Sequence, residues 1–352
     1  MNVGSNGVRG VLLRGVVSTL VVASVAITVA QQLGSDGPWW LELTRYLPFP
    51  LMLAPAVLAL VLSPWLGWRW VVASAAAVVS FVTVAMGWVW HAPERAPGDL
   101  RVMTYNTKAA QLLERTGDLA PIEREIVAHR PDIVVMQDAN GIRHWRGYDA
   151  KGPLFGLPYV FAQREYAVAS RWPLRDCAVV QARVATGVEP LSYARCSVDA
   201  DGAAFTLVTV HFESPRMGLN AARREGVDGI DAWQRNHETR LAQARALARD
   251  LAPGPMIVAG DLNAPDASAV VQSLLALGLR DAFASGGRGY GYTYGHTLRP
   301  GFSFLRIDHI LVSADFAVRD STVGSDDASD HRPVIADLGW RGVRAPAVPP
   351  RP

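Results

Sequence analysis

Three long apolar runs open the chain. Residues 15 to 33 (GVVSTLVVASVAITVAQQL), 47 to 66 (LPFPLMLAPAVLALVLSPWL) and 70 to 90 (WVVASAAAVVSFVTVAMGWVW) contain no Asp, Glu, Lys or Arg. Each approaches the roughly 20 apolar residues that cross a bilayer at about 1.5 Å per residue. Trp39, Trp40, Trp65, Trp68, Trp70, Trp88 and Trp90 gather at the ends of these runs, where amphipathic rings prefer the headgroup level. The pattern predicts three membrane helices in an anchor spanning residues 1 to 92. An alternative reading makes residues 1 to 30 a cleaved signal peptide, with Arg9 and Arg14 ahead of the apolar stretch and Thr28-Val29-Ala30 as a poor cleavage site. Three helices starting inside, or two starting outside, both deliver the remainder to the outer face. Arg9, Arg14 and Arg69 on one side against Arg45 and Arg95 on the other do not decide the orientation. The expected setting is a bacterial-type inner membrane, multi-pass, with the rest of the chain extracytoplasmic.

After the anchor the period changes. A Pro- and charge-bearing linker at 93 to 99 gives way to short β-branched runs: RVMTYN, DIVVMQD, YAVAS, AFTLVTVHF, PMIVAGDLN, FLRIDHILVS and HRPVIADL. Between them lie helical patterns, notably ERTGDLAPIEREIVAHR and HETRLAQARALARDL, with apolar residues recurring at three and four. Strands alternating with helices predict an α/β (α+β) domain over 100 to 340. The tail, RGVRAPAVPPRP at 341 to 352, is Pro-rich and expected to be disordered.

Composition changes this picture in two places. The mean hydropathy of +0.13 reflects the anchor, and the charge splits unevenly. Residues 1 to 97 hold five Arg and three acids, so the remainder carries 34 − 5 = 29 basic and 32 − 3 = 29 acidic residues, a net charge of zero. Domains that bind nucleic acid usually show a basic excess, so the balance argues against DNA or RNA. The only cysteines, Cys177 and Cys196, lie in strand-like runs. Outside the cytoplasm neighbouring thiols pair as a disulfide; the alternative is two buried free thiols.

Several strand-like runs end in polar residues: Asn106, Asp138, His211, Asp261 with Asn263, and Asp308, with Asp330 and His331 opening the last. Side chains at strand ends point into the rim loops where enzymes of this class place their sites. In order, the blocks TYN (104 to 106), QD (137 and 138), TVH (209 to 211), GDLN (260 to 263), IDHILVS (307 to 313) and SDHRPV (329 to 334) resemble the endonuclease/exonuclease/phosphatase superfamily. Its members include pancreatic deoxyribonuclease, abasic-site endonucleases, neutral sphingomyelinases and inositol-polyphosphate phosphatases. One departure is visible: Asp138 stands where the family usually has Glu, one methylene longer.

The resemblance implies a four-layer sandwich of two mostly antiparallel sheets flanked by helices, and a divalent-metal-dependent hydrolase of phosphate esters. It implies that Asp138, helped by Asn106, holds Mg²⁺ or Mn²⁺, and that Asp330 is a further metal or water ligand; hard ions of this kind take one or two carboxylates and keep waters and phosphate. By the same pattern His331, bonded to Asp308, stabilises the pentavalent phosphorus. Asp261 orients or deprotonates the attacking water, Asn263 bonds a phosphoryl oxygen, and His211 contacts the phosphate or the leaving group. His91, His129, His144, His237 and His296 match no block and read as surface or structural, Ser170-Arg171 as a structural rim turn, and Arg240 as either a buttress or a solvated helix face.

Two connections bear on the substrate. ESPRMGLNAARREGVDGIDAWQRNHET places Met217, Leu219, Ile230 and Trp233 among charges, and GGRGYGYTYGHTLRPGFSF places Tyr290, Tyr292, Tyr294, Phe302 and Phe304 before the Asp308 block. Apolar loops on a membrane-tethered enzyme suit a phospholipid or lipid-linked phosphate, with the membrane itself as partner. The same combination resembles the glycopeptide-resistance membrane proteins of the superfamily, thought to act on an undecaprenyl carrier. A membrane-anchored endonuclease or exonuclease is the alternative.

Overall fold

The computed structural model describes residues 3–32, 38–92, 99–145, 152–185, 187–295, 303–325 and 327–341. The predicted tail beyond 341, almost all of the 93 to 99 linker, His296 and Phe302 lie outside these residues. The chain forms two compact units, Met1–Val89 and Trp90–Pro352.

In the first unit, α1 covers Val3–Gln32, α2 Trp39–Thr44, α3 Phe49–Leu62 and α4 Trp68–Ser80. Three helical stretches, Val8–Gln32 of 25 residues and Phe49–Leu66 and Trp68–Ala85 of 18 each, are long and apolar enough to cross a membrane. The first begins well before the predicted 15 and the third stops short of 90. Apolar pattern marks what lipid can cover, whereas backbone hydrogen bonding decides where a helix ends. Two hydroxyls inside α1 are satisfied within the helix: Ser24 Oγ donates to Leu20 O and Thr28 Oγ1 to Ser24 O, both at 2.8 Å. The buried Glu42 is neutralised by Arg45 at 2.5 Å.

The second unit is built on two six-stranded sheets. Its strands are β1 Leu100–Asn106, β2 Ile133–Gln137, β3 Tyr159–Gln163, β4 Tyr166–Ser170, β5 Leu174–Gln181, β6 Ser192–Ala200, β7 Ala203–His211, β8 Met256–Asp261, β9 Arg280–Asp281, β10 Asp308–Val312, β11 Phe316–Val323 and β12 Val334–Trp340. The first sheet has the order β11-β12-β1-β2-β4-β3 and the second β9-β10-β8-β7-β6-β5. Among the described residues each contains a single parallel pair, β1 with β2 and β7 with β8, beside antiparallel neighbours. The sheets are therefore mixed but mostly antiparallel, as the resemblance implied.

Period-two alternation decides what each face buries. Val102, Ile133, Val135, Leu207, Ile257, Ala259, Ile310, Val334 and Ala336 meet in the core between the sheets. Their neighbours in sequence face outward. Met103, Tyr105 and Met136 pack against Leu112 of α5 (Ala109–Thr116) and Ile122 and Ile126 of α6 (Ala120–His129), near the short α7 (Asn140–Trp145). On the far side Val208, Val210 and Val258 pack against Ala244 and Leu247 of α9 (Val227–Asp250) and Val270 and Leu274 of α10 (Ala269–Leu275). A helix α8, Arg216–Glu225, precedes α9 and forms a tight hairpin with it: a Cβ on Gly229 would lie 2.0 Å from Ala221 O.

Cys177 of β5 and Cys196 of β6 form a disulfide at the bulge that interrupts their pairing after Arg175. The reading with two free thiols is thereby replaced. Ser170-Arg171 is not at the functional rim. Ser170 pairs with Ile133, the first residue of β2, whereas Asp138 follows that strand's other end.

Candidate active site

The alternation that fills the core also places the polar residues. Asn106 has the parity of Val102, Gln137 that of Ile133 and Val135, His211 that of Leu207, Asp261 that of Ile257 and Ala259, and Asp308 that of Ile310. Each is an inward-facing position at the last or first residue of its strand. The registers bring those ends together: Asn106 is level with Gln137, His211 with Asp261, and Asp261 with Asp308. The mouth of the inter-sheet core is therefore polar. Its floor is a buried layer in which Gln137 Nε2 donates to Thr209 Oγ1 at 2.8 Å and to Thr104 Oγ1 at 3.2 Å.

Three hydrogen bonds above that floor each join one sheet to the other. Asn106 Nδ2 donates to Asp261 Oδ2 at 2.9 Å, Glu165 Oε2 lies 2.8 Å from His211 Nδ1, and Asp308 Oδ2 lies 2.9 Å from His331 Nδ1. Both imidazoles turn their other nitrogen to the same carboxylate oxygen, with His211 Nε2 at 3.5 Å and His331 Nε2 at 3.7 Å from Asp261 Oδ2. Asp261 Oδ1 accepts the Asn263 backbone N–H at 2.8 Å, and the Asn263 carboxamide donates to Phe212 O at 2.9 Å. Arg240, buried over the Trp233 ring, donates to Asn263 O at 3.2 Å. Arg240 is thus a buttress of the Asp261 loop, and Trp233 belongs to the interior rather than to an exposed connection.

Strand β8 reaches this position through Gly260. A Cβ there would lie 1.9 Å from Val210 O on the parallel neighbour, so any larger residue would push Asp261 away from His211.

Asp138 sits beyond Gln137 in a left-handed conformation, φ 48°. It groups with Glu165 and His211, while Asp261, Asp308 and His331 make a second group; within each group the ligand atoms lie within 4.8 Å of one another. Lys108 Nζ is bonded to Asp138 Oδ2. Asp330 stands at the edge, 3.9 Å from Arg216. Tyr294 lies against His331 with ring centroids 4.8 Å apart, and its hydroxyl accepts from Arg216 Nη2 at 2.7 Å.

Charge is strongly redistributed. Burial pushes the His331 imidazolium down, but Asp308 and Asp261 outweigh it and hold its pKa up at about 9. Burial likewise opposes charge on His211, yet the Glu165 bond and Asp261 leave its pKa above the ordinary value. Burial and then Asp308 push the Asp261 carboxyl up, against His331, His211 and Asn106. For Asp138 burial is overcome by His211 and Lys108, and its pKa is lowered.

A divalent cation fits this pocket on two grounds. Buried Asn106 Oδ1, Asp308 Oδ1 and Asp330 Oδ1 have no hydrogen-bond donor among the described residues, a costly state for acceptors that a cation or its waters relieve. Five carboxylates, Asp138, Glu165, Asp261, Asp308 and Asp330, also gather here against the basic side chains of Lys108, His211, His331 and Arg216, an excess of acids that suits a bound cation.

Glu165 and Lys108 were not among the sequence candidates. Glu165 occupies the two-residue turn between β3 and β4, where Gln163 pairs with Tyr166, and a turn residue carries no strand-end signal. Lys108 lies two residues past Asn106, so adjacency to the TYN block was its only mark. Of the histidines outside the blocks, His129 is tied to Glu125 at 3.0 Å and His237 is buried. His309, within a block, is buried against Asp281 at 2.7 Å, with Arg306 on the same carboxylate.

A family model described as Endonuclease/Exonuclease/phosphatase family matches residues 103–331. No curated protein matches the chain significantly. Among solved structures the chain is similar to an endonuclease/exonuclease/phosphatase from Beutenbergia cavernae, at 20% identity and a TM-score of 0.51 over 71% of this chain and 73% of that one. It is also similar to one from Bacteroides vulgatus, at 21% identity and 0.50 over 69% and 99%. A family protein from Bacteroides thetaiotaomicron gives 15% identity and 0.50 over 71% and 98%. At these identities the likeness to the solved structures is one of fold.

Proposed function

Because the chain belongs to the endonuclease/exonuclease/phosphatase family, and with it to the metal-dependent hydrolases of phosphate esters, we propose that it is a membrane-anchored phosphohydrolase or phosphodiesterase. Its substrate is a phospholipid or a polyprenyl-linked phosphate, and its catalytic unit works at the outer face of the membrane. The observation that carries the reading is the convergence of Asn106, His211 and His331 on one buried carboxylate, Asp261.

In this reading Asp261 Oδ2 orients and deprotonates the attacking water, its raised proton affinity making it a better base than an ordinary carboxylate. His331, kept cationic by Asp308, donates to a non-bridging phosphoryl oxygen as charge accumulates there. His211, oriented by Glu165 through Nδ1, holds a proton at Nε2 for the departing oxygen. Asn106 Oδ1, Asp138 and Asp330 Oδ1 would hold a Mg²⁺ or Mn²⁺ ion. Such an ion supplies Lewis-acid neutralisation of the phosphate.

The lipid assignment is supported by what flanks the site. Met217 and Val227, 74% and 80% exposed, sit on the α8–α9 hairpin with Arg223 and Arg224. That hairpin begins at Arg216, which reaches Tyr294 over His331. Tyr290 and Tyr292 stack at 5.1 Å on the following loop. Apolar tips among arginines suit a headgroup region, and three membrane-length helices lie in the same chain. The test is release of phosphate or headgroup from vesicles of defined lipids by the full-length protein. Activity should require Mg²⁺ or Mn²⁺ and vanish with EDTA. Inertness toward the whole lipid panel, with metal-dependent plasmid nicking that falls steeply with salt, would replace this reading with the nuclease.

A further inference from the structure

We propose that Lys108 is a built-in monovalent cation of the active site, which a divalent ion must displace from the Asp138 carboxylate and which thereby sets how tightly that ion is held. The proposal rests on the metal reading above and adds a residue that no block of the family pattern contains.

The pairing of Lys108 with Asp138 is fixed by backbone rather than by chance approach of two surface side chains. Thr107 N–H and Thr107 Oγ1 donate to Gln137 O at 3.0 and 3.1 Å, and Ala109 N–H donates to Asp138 O at 3.0 Å. The segment carrying Lys108 is therefore wrapped around the segment carrying Asp138. Both residues hold left-handed conformations, φ 45° and 48°, a strain that non-glycine residues keep only where the surroundings impose it. Gly141 closes the wrap from α7, since a Cβ there would lie 2.6 Å from the Ala109 carbonyl carbon.

The residue type points the same way. Of the 34 basic residues, lysine occurs only at 108 and 151. At Lys108 the chain uses a compact ammonium, with three rotatable donors and no fixed fork, in place of its usual guanidinium. An ammonium leaves a carboxylate more readily than a bidentate guanidinium does. Lys108 Nζ is paired with the carboxylate oxygen Asp138 Oδ2, one of the acids that would bind the ion. Removing the Lys108 charge leaves the site one unit more negative and frees Asp138 Oδ2.

The experiment uses the full-length protein in detergent micelles, stripped with EDTA and titrated with Mn²⁺, with free Mn²⁺ read by electron paramagnetic resonance. Lys108→Met should bind Mn²⁺ at least about 10-fold more tightly than wild type, by loss of a nearby like charge. Lys108→Arg should bind no more tightly than wild type, and Asp138→Ala more weakly. A purely structural ion pair would lower the melting temperature of metal-free Lys108→Met without raising Mn²⁺ affinity. Unchanged or weaker Mn²⁺ binding by Lys108→Met, with Asp138→Ala still impaired, overturns the role of Lys108 alone. Wild-type affinity in Asp138→Ala, or no binding by wild type and Lys108→Met alike, overturns the metal reading and this proposal with it. Should the Met variant not fold, Lys108→Gln carries the same expectation.

Discussion

Replacing Asp308 by asparagine tests the electrostatics of the site most directly. The carboxamide oxygen would still accept from His331 Nδ1–H at the 2.9 Å position, and the carboxamide NH₂ would occupy the place of Asp308 Oδ1, which has no donor now among the described residues. Geometry is preserved while the largest influence raising the His331 pKa is removed. What remains is burial, which lowers it, against Asp261 and Asp330, which still raise it, so the pKa should fall below about 9 toward the ordinary value. A fall as far as the ordinary 6.5 would take the imidazolium fraction at pH 8 from about 0.9 to about 0.03, roughly a 30-fold loss and the largest expected while Asp261 and Asp330 still act, whereas at pH 6 it would change by less than about 2-fold. For stability, a histidine whose folded pKa is raised contributes fully below its unfolded value, and that contribution disappears as pH climbs through about 9. The assay is the C2–H chemical shift of His331 followed from pH 5 to 10 in EDTA-treated protein, with the pH dependence of phosphodiester cleavage measured alongside. A midpoint that stays near 9 in Asp308→Asn, or a rate ratio to wild type that is flat across pH 6 to 9, would refute the reasoning.

Other expectations follow from the same geometry. Asp261→Ala and His331→Ala should each lower turnover at least about 100-fold with the far-ultraviolet dichroism unchanged, and near-wild-type rates in either would remove it from the mechanism. Glu165→Gln should slow cleavage of a substrate with an alkoxide leaving group more than one with p-nitrophenolate, because only the former needs the His211 proton; equal losses would place His211 elsewhere. Gly260→Ala should lower the urea midpoint by an amount corresponding to at least the upper part of the roughly 1–3 kcal/mol range for overpacking, since its new Cβ meets backbone rather than a movable side chain. Cys177→Ser with Cys196→Ser, opening a 19-residue separation, should cost about 3 kcal/mol by the chain-entropy relation. Thiol titration of the native wild-type protein should find none.

What the sequence disclosed and what it concealed divide along a physical line. Asn106, His211, Asp261 and Asp308 were legible because strand periodicity ties each to the buried residues two positions away, so parity alone puts them on the inter-sheet face. The two sheets themselves came from the family resemblance, since alternation of strands and helices does not say which strands pair antiparallel. Glu165 was invisible because a hairpin turn suspends parity, and its partner lies 46 residues away. Lys108 sat beside a motif but outside it, and only backbone bonds across to Gln137 and Asp138 aim it into the pocket. Trp233 misled because a helix with charges on one side was read as a loop, whereas its ring lies at 0% exposure beneath Arg240.

The three hydrogen bonds that cross between the sheets above the Gln137 layer have a mechanical consequence. Asn106, Asp138, Glu165 and His331 ride on one sheet and His211, Asp261 and Asp308 on the other, so the reactive centre is a seam whose gauge is set by apolar packing far beneath it. A slip of either layer of about an ångström, enough to cost on the order of 100-fold in rate, would need no change to a polar group. Trimming Phe205 or Phe316, whose rings meet edge to face at 5.5 Å in that packing, is therefore a remote way to detune the chemistry.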